Sequence, residues 1–468
     1  VDSSPASERR RPRDSTNSAS KCSQTLVKMA ERSSGDPGDE LHGGTFVKYH
    51  VHMHQQVAMT SASSIVVSAH GPNYPIHMQC LQAFKYELMP NGAQACAMQR
   101  FAGSCRFIYN KALALQQDNY AQGNPFIGYV AMAKLLTAWR NSPETPWLKE
   151  APCHALQQAL KNLDHAYKNF FEKRAGFPVF KRKGRGERFR YPDPKQIKLD
   201  QANGRLFLPK LGWLRYRNSR EVLGEVRNVT VSQKGGKWFT SIQTQREIES
   251  PLPTATTAIG IDVGIARFAT LSDGSFVAAL NSFRKHQQRL ARYQRRMSRK
   301  LRFSNNWKKA KARVQKTHNR IANVRKDFLH KTSTTISQHH ALVCIEDLQV
   351  KNMSRSARGT AEQPGRKVKQ KSGLNRSILD QGWGEFRRQL AYKLAWRGGM
   401  LLAVPPHHTS QTCPCCGHVS QDNRRTQAQF LCVGCGYEQH ADVVGAINIL
   451  ERGQRLLACG EPVLQAAR

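Results

Sequence analysis

Four cysteines in the stretch CPCCGHVSQDNRRTQAQFLCVGCG constrain this chain more than any other feature. Cys413, Cys416, Cys432 and Cys435 stand at the spacing C-x2-C-x15-C-x2-C. Each pair can turn two sulfurs toward one tetrahedral ion, and a glycine, Gly417 or Gly436, follows where the backbone must curl back. The spacing therefore predicts a structural Zn²⁺ ribbon over residues 407–436. Four thiolates leave no open coordination position, so this zinc is expected to order a segment too short to fold alone and not to perform chemistry. Cys415 interrupts the first knuckle and is expected to be a free thiol. The other cysteines are scattered, which excludes a secreted disulfide framework and suits a reducing cytosol.

The chain has 468 residues and a formal net charge of +39. The length implies about two to four domains. A surface that positive calls for a polyanion, and nucleic acid is favoured over a membrane surface because no basic amphipathic helix has a broad apolar face. No apolar run is long enough to span a bilayer, and the N-terminus lacks a signal-peptide core.

Residues 1–77 are rich in Ser, Arg, Gly and His and read as a disordered extension upstream of the functional protein. LQAFKYELMPNG alternates apolar and polar residues and reads as a strand. Residues 93–174 turn helical, with Met98, Phe101, Cys105, Ile108 and Ala112, then Leu156, Ala159, Leu160, Leu163 and Tyr167, at three- and four-residue steps. Residues 175–250 return to strands, with hairpin signals at Asn203-Gly204 and Gly235-Gly236. A small β-barrel (78–92 and 175–250) interrupted by a helical lobe fits this order; two unrelated small domains is the alternative.

Beyond residue 255 the pattern is α/β. Asp262 sits mid-strand in the apolar run AIGIDVGI, Glu346 ends the strand ALVCIE, and Asp442 opens the helix ADVVGAINIL. Singly, each reads as a solvated strand-end or capping acid. Together, two carboxylates on neighbouring strands and one on a facing helix are what a ribonuclease-H-like site uses to hold two Mg²⁺ ions. Asp347 should point to the opposite face of its strand, and Asp273 belongs to a Ser-Asp-Gly turn.

Between them, residues 284–331 hold 18 Lys or Arg and one acid, Asp327. Leu290 with Met297, and Val314 with Ile321, would pack one side of a helical hairpin. So many cations exceed what solubility requires, and phosphate binding is expected from Arg292, Arg295, Arg296, Arg299, Lys300, Lys308, Lys309, Lys311 and Arg313. Residues 351–376, with eight cations, read as a loop that orders on nucleic acid. Trp213, Trp238 and Trp383 could stack on bases, though core packing is the expected fate of each.

GIDVGIARFAT, VCIEDL, the CPxCG…CxxCG clip and ADVVGAINIL, with FKYELMPN, CRFIYNKAL and LDQGWGEFRRQLAYKLAWRGG, resemble the TnpB (OrfB) family over about residues 80–450. These insertion-sequence proteins are similar to type V CRISPR effectors. The resemblance implies a split RuvC nuclease domain (255–406 and 437–455) with an inserted zinc ribbon, an oligonucleotide-binding barrel, a helical recognition lobe (93–174) and a flexible tail (456–468). It also implies a guide RNA, cutting of double-stranded DNA, and Asp262, Glu346 and Asp442 as magnesium-binding catalytic residues. A bacterial or archaeal cytosol is the implied setting, and a separate transposase from the same element a possible partner. Many members have Asn-Ala where this chain has Val444-Gly445. A transposase acting on DNA without a guide, or a non-cutting regulator, are the competing functions; intact acids argue against the second.

Overall fold

The computed structural model describes residues 57–60, 64–67, 77–249, 251 and 253–459. The expected N-terminal extension therefore lies outside the described residues, except for an antiparallel pair, β1 (Val57–Thr60) and β2 (Ser64–Val67), and the start of the next strand at His77. The chain forms two compact units, one holding Gln79–Glu247 and the other Ile248 onward.

In the first unit β3 (His77–Met89) buries Phe84, Tyr86 and Leu88 on one face, as the alternation predicts. Helix α1 (Gly92–Ala121) starts at a capping box. The Asn91 side chain accepts from the Gln94 amide at 2.8 Å, and the Gln94 side chain accepts from the Asn91 amide at 3.1 Å. With α2 (Tyr129–Asn141) and α3 (Cys153–Phe171) it forms the helical segment, and all ten residues expected on its apolar faces are buried.

Strands β4 (Arg188–Tyr191), β5 (Lys198–Asp200), β6 (Arg205–Leu208), β7 (Gly212–Tyr216), β8 (Glu225–Lys234) and β9 (Lys237–Glu249) join β3 in one seven-stranded sheet, ordered β4-β8-β9-β3-β7-β6-β5. Both predicted hairpins are there. Gly235 and Gly236 turn β8 into β9 with φ of +60° and +82°, which suits the right-handed twist of the flanking strands. Trp238 and Trp383 are buried, but Trp213 is 46 % exposed on β7, beside Phe207.

The second unit is built on a mixed sheet. β10 (Ala258–Asp262), β11 (Arg267–Leu271) and β12 (Phe276–Ala278) are antiparallel neighbours, and β13 (Leu342–Glu346) and β14 (Met400–Val404) add in parallel, in the order β12-β11-β10-β13-β14. A helical hairpin, α4 (Ser282–Ser298) and α5 (Asn305–His339), connects β12 to β13. Leu290, Val314 and Ile321 are buried within it. The loop expected at 351–376 is shorter than that: after α6 (Val350–Met353), residues 368–376 are already helical in α7 (Val368–Gln381). Gly382 adopts φ +77° and separates α7 from α8 (Trp383–Ala395). Gly382 also lies close to Leu329, whose Cδ1 would stand 3.2 Å from a Cβ there.

Strand alternation sorts the two faces. Ile259, Ile261, Val343 and Ile345 pack with Leu329 and Ile336 of α5 and Phe386, Leu390 and Leu394 of α8. On the other face Leu342, Cys344, Leu402 and Val404 pack with Ile449 of the last helix, α9 (Ala441–Ala458). That helix lies very near the sheet. A Cβ on Gly260 would stand 2.0 Å from the Ala446 carbonyl oxygen, and one on Gly453 would stand 2.2 Å from the Cys344 sulfur. Residues 456–458, expected in a flexible tail, continue α9, and 460–468 lie outside the described residues.

Candidate metal centre and carboxylate site

The four predicted cysteines converge. Their sulfurs all lie within 4.8 Å of one another, with Cys413 to Cys435 and Cys416 to Cys432 each at 3.6 Å. Sulfurs about 2.3 Å from one tetrahedral zinc would be about 3.8 Å apart, so the donor set fits that ion. Two matching turns build it: the Gly417 amide donates to the Cys413 carbonyl and the Gly436 amide to the Cys432 carbonyl, at 2.9 and 3.0 Å. Both glycines have positive φ, +74° and +73°. Cys415 is exposed and outside the group. Asn423, which the motif did not flag, is fully buried and joins the knuckles. Its amide donates to the Gln411 and His418 carbonyls, and its side-chain oxygen accepts from the Val433 amide. Strands β15 (Gln429–Leu431) and β16 (Glu438–His440) close the ribbon, and β16 runs directly into α9.

That junction sets Asp442 in the first turn of α9, where the His440 ring caps the Asp442 amide at 3.2 Å. Asp262 is the last residue of β10, not mid-strand, because Gly264 turns the chain. Ile261 pairs with Ile345 in the parallel ladder, so Asp262 and Glu346 leave neighbouring strands at the same level. Parity puts both on the face that carries α9. Asp347, one residue on, is on the other face and pairs with Arg387 of α8. Asp273 accepts from the Ser275 amide in its turn, as expected.

All three acids are half-buried. Burial first, then the negative charges of Glu346 and Asp442, push the Asp262 carboxyl up to about 7, and Arg424 and the Val263 amide offset only part of that. Burial also raises Glu346, against a hydrogen bond from Thr409 and the charge of Arg452. Among the described residues only the cysteines gather three or more ligating atoms within 4.8 Å, so the carboxylates are more widely spread.

Arg424, Thr409 and Asn448 escaped the motif reading, and Gly445 stood out only as a departure from the family pattern. Arg424 of the ribbon stands 3.7 Å from Asp442. Gly445 faces Asp262: a Cβ there would be 3.2 Å from its Oδ2, so the departure at Val444-Gly445 leaves the carboxylate extra room. The Thr409 hydroxyl donates to Glu346 at 2.6 Å. Asn448 of α9 holds that loop by donating to the Thr409 and Thr412 carbonyls at 2.7 and 2.8 Å.

The candidate phosphate contacts occupy the hairpin. Arg292, Arg295 and Arg296 are on α4, Arg299 and Lys300 in the turn, and Lys308, Lys309, Lys311 and Arg313 on α5. All are exposed but Lys311, which is half-buried over the Trp307 ring.

Comparison with known proteins gives matches along most of the chain. A family profile described as "Probable transposase" (OrfB of IS605) matches residues 240–357, a "Cas12f1-like, TNB domain" matches 383–449, and a "Helix-turn-helix domain" matches 78–125. The Escherichia coli K12 protein named "Putative RNA-guided DNA endonuclease InsQ" is 58% identical over 386 residues, spanning 82% of this chain and 96% of that one. A Streptomyces pristinaespiralis protein named "Putative RNA-guided DNA endonuclease" is 34% identical over 82% of this chain and 92% of its own. The solved Cas12f1-sgRNA-target DNA complex aligns at TM-score 0.29 and 14% identity, over 79% of this chain and 98% of that one. No helix among the described residues is long and apolar enough to cross a membrane.

Proposed function

Because this chain belongs to the TnpB (OrfB) family of insertion-sequence proteins, we propose that it is an RNA-guided endonuclease that cuts double-stranded DNA beside a short flanking motif. In this reading the second unit is a split, ribonuclease-H-like RuvC domain carrying the ribbon, and the sheet and helices of the first unit are the nucleic-acid-binding barrel and recognition lobe. Asp262, Glu346 and Asp442 are the catalytic carboxylates. The observation that carries this assignment is the convergence of three half-buried carboxylates from β10, β13 and α9: burial first, then the charges of Glu346 and Asp442, raise the Asp262 carboxyl to about 7. Clustered, half-buried carboxylates that repel one another are a binding site for hard divalent cations.

Mg²⁺ bound there would activate the attacking water and stabilise the leaving 3′ oxygen. The protein's own contribution is positional. β10 and β13 fix two carboxylates side by side, α9 brings the third, and Thr409 restrains Glu346. The four thiolates would hold Zn²⁺ as scaffold, keeping α9 in place. The hairpin cations would bind phosphates without reading sequence, which base pairing with the guide supplies.

The test uses the full chain with its co-purifying RNA. Asp262→Ala, Glu346→Ala and Asp442→Ala should each abolish cutting and leave nucleic-acid binding intact, and replacing the guide portion should redirect the cut. Cutting that stays at the old sequence, or survives RNA removal, would overturn the guided reading in favour of a transposase acting on DNA alone.

A further inference from the structure

The turn between α4 and α5, residues 299–304, carries two large apolar side chains into solvent. Leu301 is 82 % exposed and Phe303 is 64 % exposed. A mobile loop end could show this by chance, but this turn is held. The Ser304 amide donates to the Leu301 carbonyl at 3.1 Å, and the Ser304 hydroxyl caps α5 by accepting from the Trp307 amide at 3.1 Å. Phe303 itself has φ +70°, a left-handed conformation that glycine adopts freely and a bulky residue does not. A ring kept in a strained, outward position that a smaller residue would occupy better is a sign of function.

The surroundings say what the ring faces. Phe303 lies 5.4 Å from the Trp307 ring, Arg302 is 5.0 Å from the Phe303 centroid, and Lys311 is 5.1 Å from that of Trp307. Arg299, Lys300, Lys308 and Lys309 flank this ledge, and no Asp or Glu occurs from Arg284 to Lys326. An aromatic surface set among uncompensated cations is complementary to a nucleobase whose phosphates those cations hold.

We propose that the hairpin tip is a base-stacking site, at which Phe303 takes an unpaired or strand-terminal nucleobase of the bound nucleic acid. Leu301 widens the apolar ledge and Arg302 covers its edge. The site rests on the nucleic-acid reading of the hairpin. It adds a contact with the face of a base to a surface otherwise matched to phosphate.

The experiment titrates the full-length protein into a mixed-sequence single-stranded RNA bearing one 2-aminopurine, whose fluorescence falls when it stacks on an aromatic ring. The wild-type chain should bind and quench. Phe303→Gly relieves the backbone and should fold at least as stably, yet lose the quench and bind about 5- to 100-fold more weakly, as expected for one lost stack. Phe303→Trp should restore both. Lys308→Ala with Lys309→Ala should flatten the salt dependence and keep the quench at saturation, which separates the ledge from the phosphate grip. Equal quench and affinity in Phe303→Gly would overturn the proposal. So would a wild-type dimer that becomes monomeric in that variant, or binding to anionic vesicles lost with the ring. No RNA binding by the wild type would overturn the nucleic-acid reading as well.

Discussion

Thr409 belongs to no motif, yet its hydroxyl limits where Glu346 can point. Thr409→Val keeps the shape and removes the donor, leaving one carboxylate oxygen unrestrained. Hydrogen bonds to charged groups are worth about 1.5–3 kcal/mol, so affinity for Mn²⁺ should fall by roughly tenfold or more, read directly by electron paramagnetic resonance. Zinc content should not change, and Thr409→Ser should restore binding. Asp262 supplies a pH dependence with a defined sign. Its carboxyl is raised to about 7, so the folded chain keeps a proton that the unfolded chain has released by about pH 4. Its contribution to metal-free stability is therefore largest below about pH 4 and declines up to about pH 7. Divalent ions must displace that proton, so their stabilisation, measured as a shift in melting temperature, should be larger at pH 8 than at pH 6. Asp262 and Glu346 were legible because an acid within or at the end of an apolar run stands out, though the sequence placed Asp262 mid-strand and the fold puts it last in β10. Thr409 was not, because its partner lies 63 residues away and only the fold joins them.

Among the elements, α9 concentrates the dependence of the site on packing. It approaches the sheet where Gly260 offers no side chain, and Gly260→Ala would drive a methyl into the Ala446 carbonyl. Overpacking typically costs about 1–3 kcal/mol, and here it would also lift Asp442 away from Asp262. Thermal unfolding should show the first effect and weakened Mn²⁺ binding the second. The ribbon acts on the same helix at its N-terminus, since β16 continues into α9. Cys432→Ser or chelation should lower zinc content and divalent-ion affinity together. A variant that lost zinc and still bound Mn²⁺ normally would uncouple the two. The helices and hairpins of the first unit were legible from period and turn chemistry, as Ile108 and Gly235-Gly236 illustrate. Element ends were less so. Gly382 looks like an ordinary helical glycine until α5 packs against it, and the polar run 368–376 has no apolar period to announce α7.

At the scale of the whole molecule, charge was the most legible property and three-dimensional assembly the least. Nothing in the sequence says that Cys344 meets Gly453 or that Arg424 reaches Asp442. The excess of cations predicts a measurable slope. Replacing Lys308, Lys309, Lys311 and Arg313 with Ala should weaken binding to every target alike, and each lost phosphate contact should lower the logarithmic salt slope by about 0.7–0.9. Unequal losses among targets would mean that these residues read sequence. The path of the chain through its sheet has a temporal consequence. Asp262, the hairpin cations and Glu346 all precede Asp442, which joins the site only through the ribbon and α9. If the proposed roles hold, synthesis delivers the phosphate-binding cations before the last of the three carboxylates. On the proposed assignment, a growing chain exposes its phosphate-binding surface before its nuclease site is complete.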